Sequence, residues 1–206
     1  MFQREGDEVE GFHLLNDGWV SSSLLLKRGK RLIQKIHLPG DMLSTPSMIL
    51  CTAADTLTAI TPATTSFVSY TRMGELFLTA PRVAALFTVA IQMERMALMD
   101  SLAATGNARA LNQLAGLLLD LHSRLSAVGT VTDDAFDLPL TQEVIGDLLG
   151  LTSVHVSRMF GSLESQHLIS RQAHNIQLLD LPGLQRLSPR PHRQLKFEPE
   201  WLPQSG

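Results

Sequence analysis

The chain has 206 residues, 44% apolar and 18% charged, with a net charge of −3. This admits one large or two small domains with an ordinary core and excludes a disordered chain. One cysteine, Cys51, excludes an intrachain disulfide and a cysteine-ligated cluster. The longest apolar runs, such as 117–119, fall far short of the roughly 20 residues that span a bilayer, and residues 1–5 are polar and acidic rather than a secretory leader; a cytoplasmic protein without a membrane partner is expected.

Residues 7–71 hold short apolar stretches at 12–15, 19–20, 24–26, 32–38, 57–60 and 67–70, punctuated by glycine and proline. That spacing predicts an antiparallel roll or sandwich. Arg28-Gly29 predicts a hairpin turn, whose basic cluster Lys27, Arg28, Lys30 and Arg31 reads as a solvated tip. From Arg72 the pattern changes. Pro81 suits the first position of a helix, and residues 83–102 continue without proline or glycine. Leu86, Ala90, Met93 and Ala97 fall on one face, and Phe87, Ile91, Leu98 and Leu102 on another. A helix apolar on two sides is buried on two sides: one can cover the roll, and the other needs a partner such as a copy of itself. The stripe Met93, Met96, Met99 suits adaptable packing. A second helix is predicted over about 108–125, followed by an acidic link at 129–137.

The segment 138–164 carries the functional signal. Thr141 can cap a first helix, with Glu143 in its first turn and Ile145, Leu148 and Leu149 facing inward. Gly146 is small enough for a close approach. Gly150 can take the left-handed conformation that ends the helix. Thr152 can then cap a second helix, completing a helix-turn-helix. At 100° per residue, Val156, Met159, Phe160 and Leu163 point inward. Val154, Ser157, Arg158 and Gly161 point outward, flanked by Ser153 and His155. Such a surface can enter a major groove: serine bonds at short range, arginine pairs bidentately with guanine, and valine touches a thymine methyl. Strand candidates at 168–171 and 176–179, turning at His174-Asn175, make a wing of the kind that rests on phosphates. Asp180-Leu181-Pro182 opens a short last helix holding Leu184 and Leu187.

The stretches Leu149-Gly150-Leu151-Thr152-Ser153-Val154-His155-Val156-Ser157-Arg158, Leu138-Pro139-Leu140-Thr141-Gln142 and 117–125 resemble the CRP/FNR family of bacterial transcription regulators. Leu38-Pro39-Gly40-Asp41 and Asp17-Gly18-Trp19-Val20 resemble the family's sensor roll. The resemblance implies an α+β chain: an N-terminal antiparallel β-roll of the cyclic-nucleotide-binding type (1–80), a dimerisation helix (81–105), a connecting helix and linker (106–132), and a C-terminal winged helix-turn-helix (133–206). It implies a homodimer reading palindromic double-stranded DNA, with Thr141, Thr152, Ser153, Val154, His155, Ser157, Arg158 and His174 as DNA-binding residues. RNA polymerase and a small effector are further partners it brings into view.

The sequence departs from the family at several points. No Lys or Arg occurs over 36–71, and a buried phosphate without a cation is hard to stabilise, so cyclic AMP is not the expected ligand. An iron–sulfur cluster needs several cysteines, and haem would have only His37 and Cys51 as roll ligands. His37 therefore reads as an ordinary packed or surface histidine, Cys51 as a buried inert thiol, and no cofactor or metal is expected. Val154 stands where the best-known branches carry a glutamate, so a different operator is expected. The first 20 residues resemble the second or third strand of the family's roll, predicting an open sheet edge. Residues 133–206 carry 6 basic and 9 acidic groups, which predicts weak non-specific DNA binding. Two other readings remain: a small-molecule-binding or metal-dependent roll protein, against which His13 and His37 stand isolated, and a regulator acting mainly through protein contacts. Neither a phosphate loop nor a nucleophile elbow supports an enzyme.

Overall fold

The computed structural model describes residues 2–107, 109–189 and 199–203. Its N-terminal part contains strands β1 (Gly11–Asp17), β2 (Val20–Leu25), β3 (Arg31–His37), β4 (Met42–Leu43), β5 (Thr56–Ala59) and β6 (Thr64–Ser69). They pair antiparallel as two three-stranded sheets, ordered β4-β1-β6 and β3-β2-β5. Leu15, Val20, Leu43 and Leu57 are fully buried between them, as period-2 alternation requires of a sheet with one core face. The β2–β3 hairpin closes through a 3-10 turn at Lys27–Gly29, with Leu26 N–H donating to Lys30 O at 2.8 Å.

Two expectations about the roll are corrected. Cys51 is exposed: the chain leaves the sheets after the 3-10 turn Thr45–Ile49, and Ile49 and Leu50 project outward beside it. The basic cluster is solvated at Lys27 and Lys30, and the partly exposed Arg31 also donates through Nε to Asp147 Oδ2 at 2.8 Å. The outer side of β5 is not left open either. Phe2 N–H donates to Leu57 O at 3.1 Å, and Leu57 N–H to Gln3 O at 3.0 Å.

Helix α1 (Tyr70–Thr79), capped by Ser69 Oγ, follows β6. No helix is expected here from the sequence, where 67–70 reads as part of the roll and the next helix starts at Pro81, although Met73, Leu76 and Phe77 stand at helical spacing. At Ala80 the chain bends by 120° into α2 (Pro81–Asn107), which starts at the expected proline. Phe87 of α2 packs against Phe12 of the roll (5.6 Å between ring centroids) and Phe77 of α1 (5.9 Å). Helix α3 (Ala110–Ala127) buries Leu114, Leu118, Leu121 and Leu125.

The C-terminal part contains β7 (Ala135–Asp137), α4 (Gln142–Leu149), α5 (Ser153–Ser165), β8 (Ile169–Gln172), β9 (Asn175–Leu178) and α6 (Leu181–Leu187). Its sheet is ordered β7-β9-β8. The acidic link thus ends in a strand, driven by burial of Phe136. A single apolar cluster unites Trp19, Ile33, Ile36 and Leu38 of the roll with Leu118, Ile145, Phe160 and Leu184. The two ends of the chain share a core, and β3 lies against α4.

Candidate nucleic-acid interface

The helix-turn-helix forms where capping chemistry predicts it. Thr141 Oγ1 accepts from Val144 N–H at 3.2 Å and starts α4, with Glu143 in the first turn, where a carboxylate meets the positive end of the helix dipole. Gly150 ends α4 in the left-handed conformation, φ 70° and ψ 28°. Leu151 N–H donates to Gly146 O at 2.9 Å, and a Cβ on Gly146 would stand 2.6 Å from Leu151 O. Gly146 therefore admits the backbone of the turn itself. Thr152 Oγ1 accepts from His155 N–H at 3.3 Å and starts α5.

The faces of α5 divide as helical geometry requires. Val156, Phe160 and Leu163 are buried, and Met159 is half-buried against them. Ser153, Ser157, Arg158 and Gly161 are exposed, Val154 is 65% exposed, and His155 is half-buried. Thr141 and Thr152 are exposed at the starts of their helices. The predicted residues from Ser153 to Arg158 thus share one accessible surface, apart from the half-covered His155. His174 is exposed, and the wing turn falls one position earlier in the chain than expected. The turn is Ala173-His174, with Gln172 opposite Asn175 and Ala173 at φ 54°.

Sequence reasoning missed the group that ties the wing to α5. Arg171 of β8 donates through Nε and Nη2 to Glu164 at 3.0 and 2.8 Å, and its guanidinium lies 4.4 Å above the Phe160 ring. The hydrogen bond from Arg171 holds the Glu164 carboxyl below its ordinary pKa. The opposite charges, seven positions apart, were the available signal, but only the fold brings the strand back onto the helix. Among the described residues of 133–187, Arg171 and Arg186 pair with acids, and Arg158 is the remaining arginine. Arg190, Arg193 and Lys196 lie outside the described residues.

A second polar network fastens this region to the roll. Arg124 of α3 donates to Ile36 O at 3.1 Å and to Asp41, which also faces Lys35. Lys35 donates to Glu94 of α2 at 2.9 Å. His37 is buried beside them, with both ring nitrogens lacking hydrogen bonds and Asp41 3.8 Å away. Burial, reinforced by the charges of Lys35 and Arg124, pushes its pKa well below the usual histidine range. Among the described residues, no group of three His, Cys, Asp or Glu side chains is placed to hold a metal, and no single helix is long and apolar enough to cross a membrane.

Comparison with known proteins agrees with this architecture. Residues 112–187 match the Crp-like helix-turn-helix domain. The transcriptional regulatory protein btr of Bordetella pertussis is 27% identical over 88% of this chain and 74% of its own length. The structure of FixK2 from Bradyrhizobium japonicum superimposes with a TM-score of 0.81, at 26% identity, over 91% of both chains. A CRP/FNR-family transcriptional regulator from Thermus thermophilus shares the fold, with a TM-score of 0.69 at 16% identity over 91% of this chain and 93% of its own. A β-roll joined through a long helix to a winged helix-turn-helix, together with these likenesses, gives the chain the architecture of CRP/FNR-type transcription regulators, with a Crp-like helix-turn-helix over residues 112–187.

Proposed function

We propose that the chain acts as a cytoplasmic homodimer that binds a palindromic operator, with α5 of each copy in the major groove. The carrying observation is the outward face of α5: exposed Ser153, Val154, Ser157 and Arg158 around a helix whose opposite side is buried in the core. Arg158 reads guanine, Ser153 and Ser157 make short hydrogen bonds, and Val154 contacts a thymine methyl. His174 at the wing tip, Thr141 and Thr152 meet backbone phosphates, and His155 flanks the base-reading face.

Dimerisation through α2 is supported by its lack of cover. No described α2 side chain is fully buried, while Val83, Leu98, Met99 and Leu102 are exposed. A helix of this composition is stable in water when a second apolar surface covers it. A copy of α2 is that surface, and it sets the two α5 helices about 34 Å apart, one turn of DNA. The roll's interior supports a regulator independent of cyclic AMP, since Leu15, Val20, Leu43 and Leu57 fill it and no cation lies in residues 36–71. RNA polymerase and a small effector other than cyclic AMP are the further partners that the likeness to CRP/FNR-type regulators puts forward for testing.

Selection of bound sequences from a random duplex pool tests the reading. A palindrome with half-sites one helical turn apart is expected, with thymine favoured where Val154 reaches. Arg158→Ala should weaken binding by about 1–3 kcal/mol and relax one position per half-site. Retention of full affinity and specificity by that variant overturns the assignment of the face.

A further inference from the structure

We propose that the tip of the β2–β3 hairpin is a second DNA contact, placing Lys27 and Lys30 of the roll against phosphates that flank the operator half-site. The inference rests on the operator reading above and extends it to a part of the chain outside the helix-turn-helix.

The first observation is a shortage of charge. Within the described residues of 133–187, Arg158 is the one arginine without an acidic partner, and the region 133–206 is net acidic. Duplex binding draws much of its affinity from neutralised phosphates, and one unpaired arginine among the described residues of 133–187 supplies little of it. The second observation is position. Arg31, at the base of the hairpin tip, is joined to Asp147 of α4 at 2.8 Å. Asp147 follows Gly146, which lies directly against Leu151, the residue before the Thr152 cap of α5. The hairpin is therefore anchored beside the turn from which α5 starts. Lys27 and Lys30 are exposed and lie within two residues of the Leu25–Arg31 rung, about 7 Å at the rise of a strand. The ion pair to Asp147 engages Arg31 and leaves the two lysines facing solvent.

The test uses the full chain and the selected operator, in one duplex trimmed to the palindrome and one with ten flanking base pairs on each side. Binding is measured across a salt series for wild type, Lys27→Ala/Lys30→Ala and Lys27→Arg/Lys30→Arg. On the flanked duplex the alanine variant should lower the slope of log K against log salt by about 0.9 per lost contact, about 2 per protomer. The arginine variant should restore the slope, the trimmed duplex should show little difference, and the base preference should stay unchanged. An unaltered slope on the flanked duplex overturns the proposal. Exposed Leu25 and Leu26 beside the lysines would also suit a protein surface. An unaltered slope combined with lost transcription by purified RNA polymerase therefore assigns the tip to a protein partner and refutes the DNA contact. Wild-type protein that selects no sequence overturns the operator reading, and this contact with it.

Discussion

Replacing Gly146 with alanine tests the close approach that shapes the helix-turn-helix. An ideal Cβ at this position stands 2.6 Å from Leu151 O, 3.5 Å from Leu151 C and 3.7 Å from Ser153 N. Backbone atoms cannot rotate away as a flexible side chain would, so the 150–153 segment must shift by several tenths of an ångström. Such overpacking costs about 1–3 kcal/mol. Alanine recovers about 1 kcal/mol of helix propensity relative to glycine, leaving a net loss of about 0–2 kcal/mol. Gly161 supplies the control: it lies on α5, and a Cβ there meets nothing within 4 Å, so Gly161→Ala should gain up to about 1 kcal/mol. Denaturant unfolding of the full chain measures both. Operator titration adds a second readout, because the shifted segment carries the Thr152 cap and Ser153. Gly146→Ala should therefore lose more in DNA affinity than in folding stability. If it stabilises the protein as much as Gly161→Ala does, the turn does not press on Gly146 and the packing argument fails.

Two further outcomes are expected. Leu98→Glu/Leu102→Glu places carboxylates on exposed apolar positions of α2; sedimentation should shift from dimer to monomer with native circular dichroism, and a dimer of wild-type affinity would remove α2 from the interface. His37 is held neutral in the fold with its pKa well below 6.5, so the unfolded chain binds the proton first. Its contribution to stability is complete above about pH 6.5 and is lost as pH falls below that value, by at most about 1.4 kcal/mol per pH unit. His37→Leu should flatten this dependence between pH 7 and 5.5, leaving a smaller slope from His13, whose pKa burial also lowers; an unchanged slope would show that His37 is not the group responsible.

Local chemistry was legible in the residues. Thr141, Gly150 and Thr152 place the two helix starts and the intervening stop, because a cap or a left-handed glycine acts within four positions of itself. The same holds for Pro81 at the start of α2 and for the division of α5 into faces, since a 3.6-residue period needs no partner to be read. Short elements escaped: α1 has ten residues with Gly74 in its middle and follows β6 without a linker, and β7 is only three residues long.

What only the tertiary structure decided are pairings between distant positions. Arg31 and Asp147, Arg124 and Asp41, and Arg171 above Phe160 all depend on where the chain returns. So does the outward course of Cys51. The placement of Ile33, Ile36 and Leu38 in one core with the helix-turn-helix depends on which surface packs against β3. Capping and amphipathicity arise from neighbours along the chain, whereas ion pairs and shared cores arise from neighbours in space, which periodicity does not name.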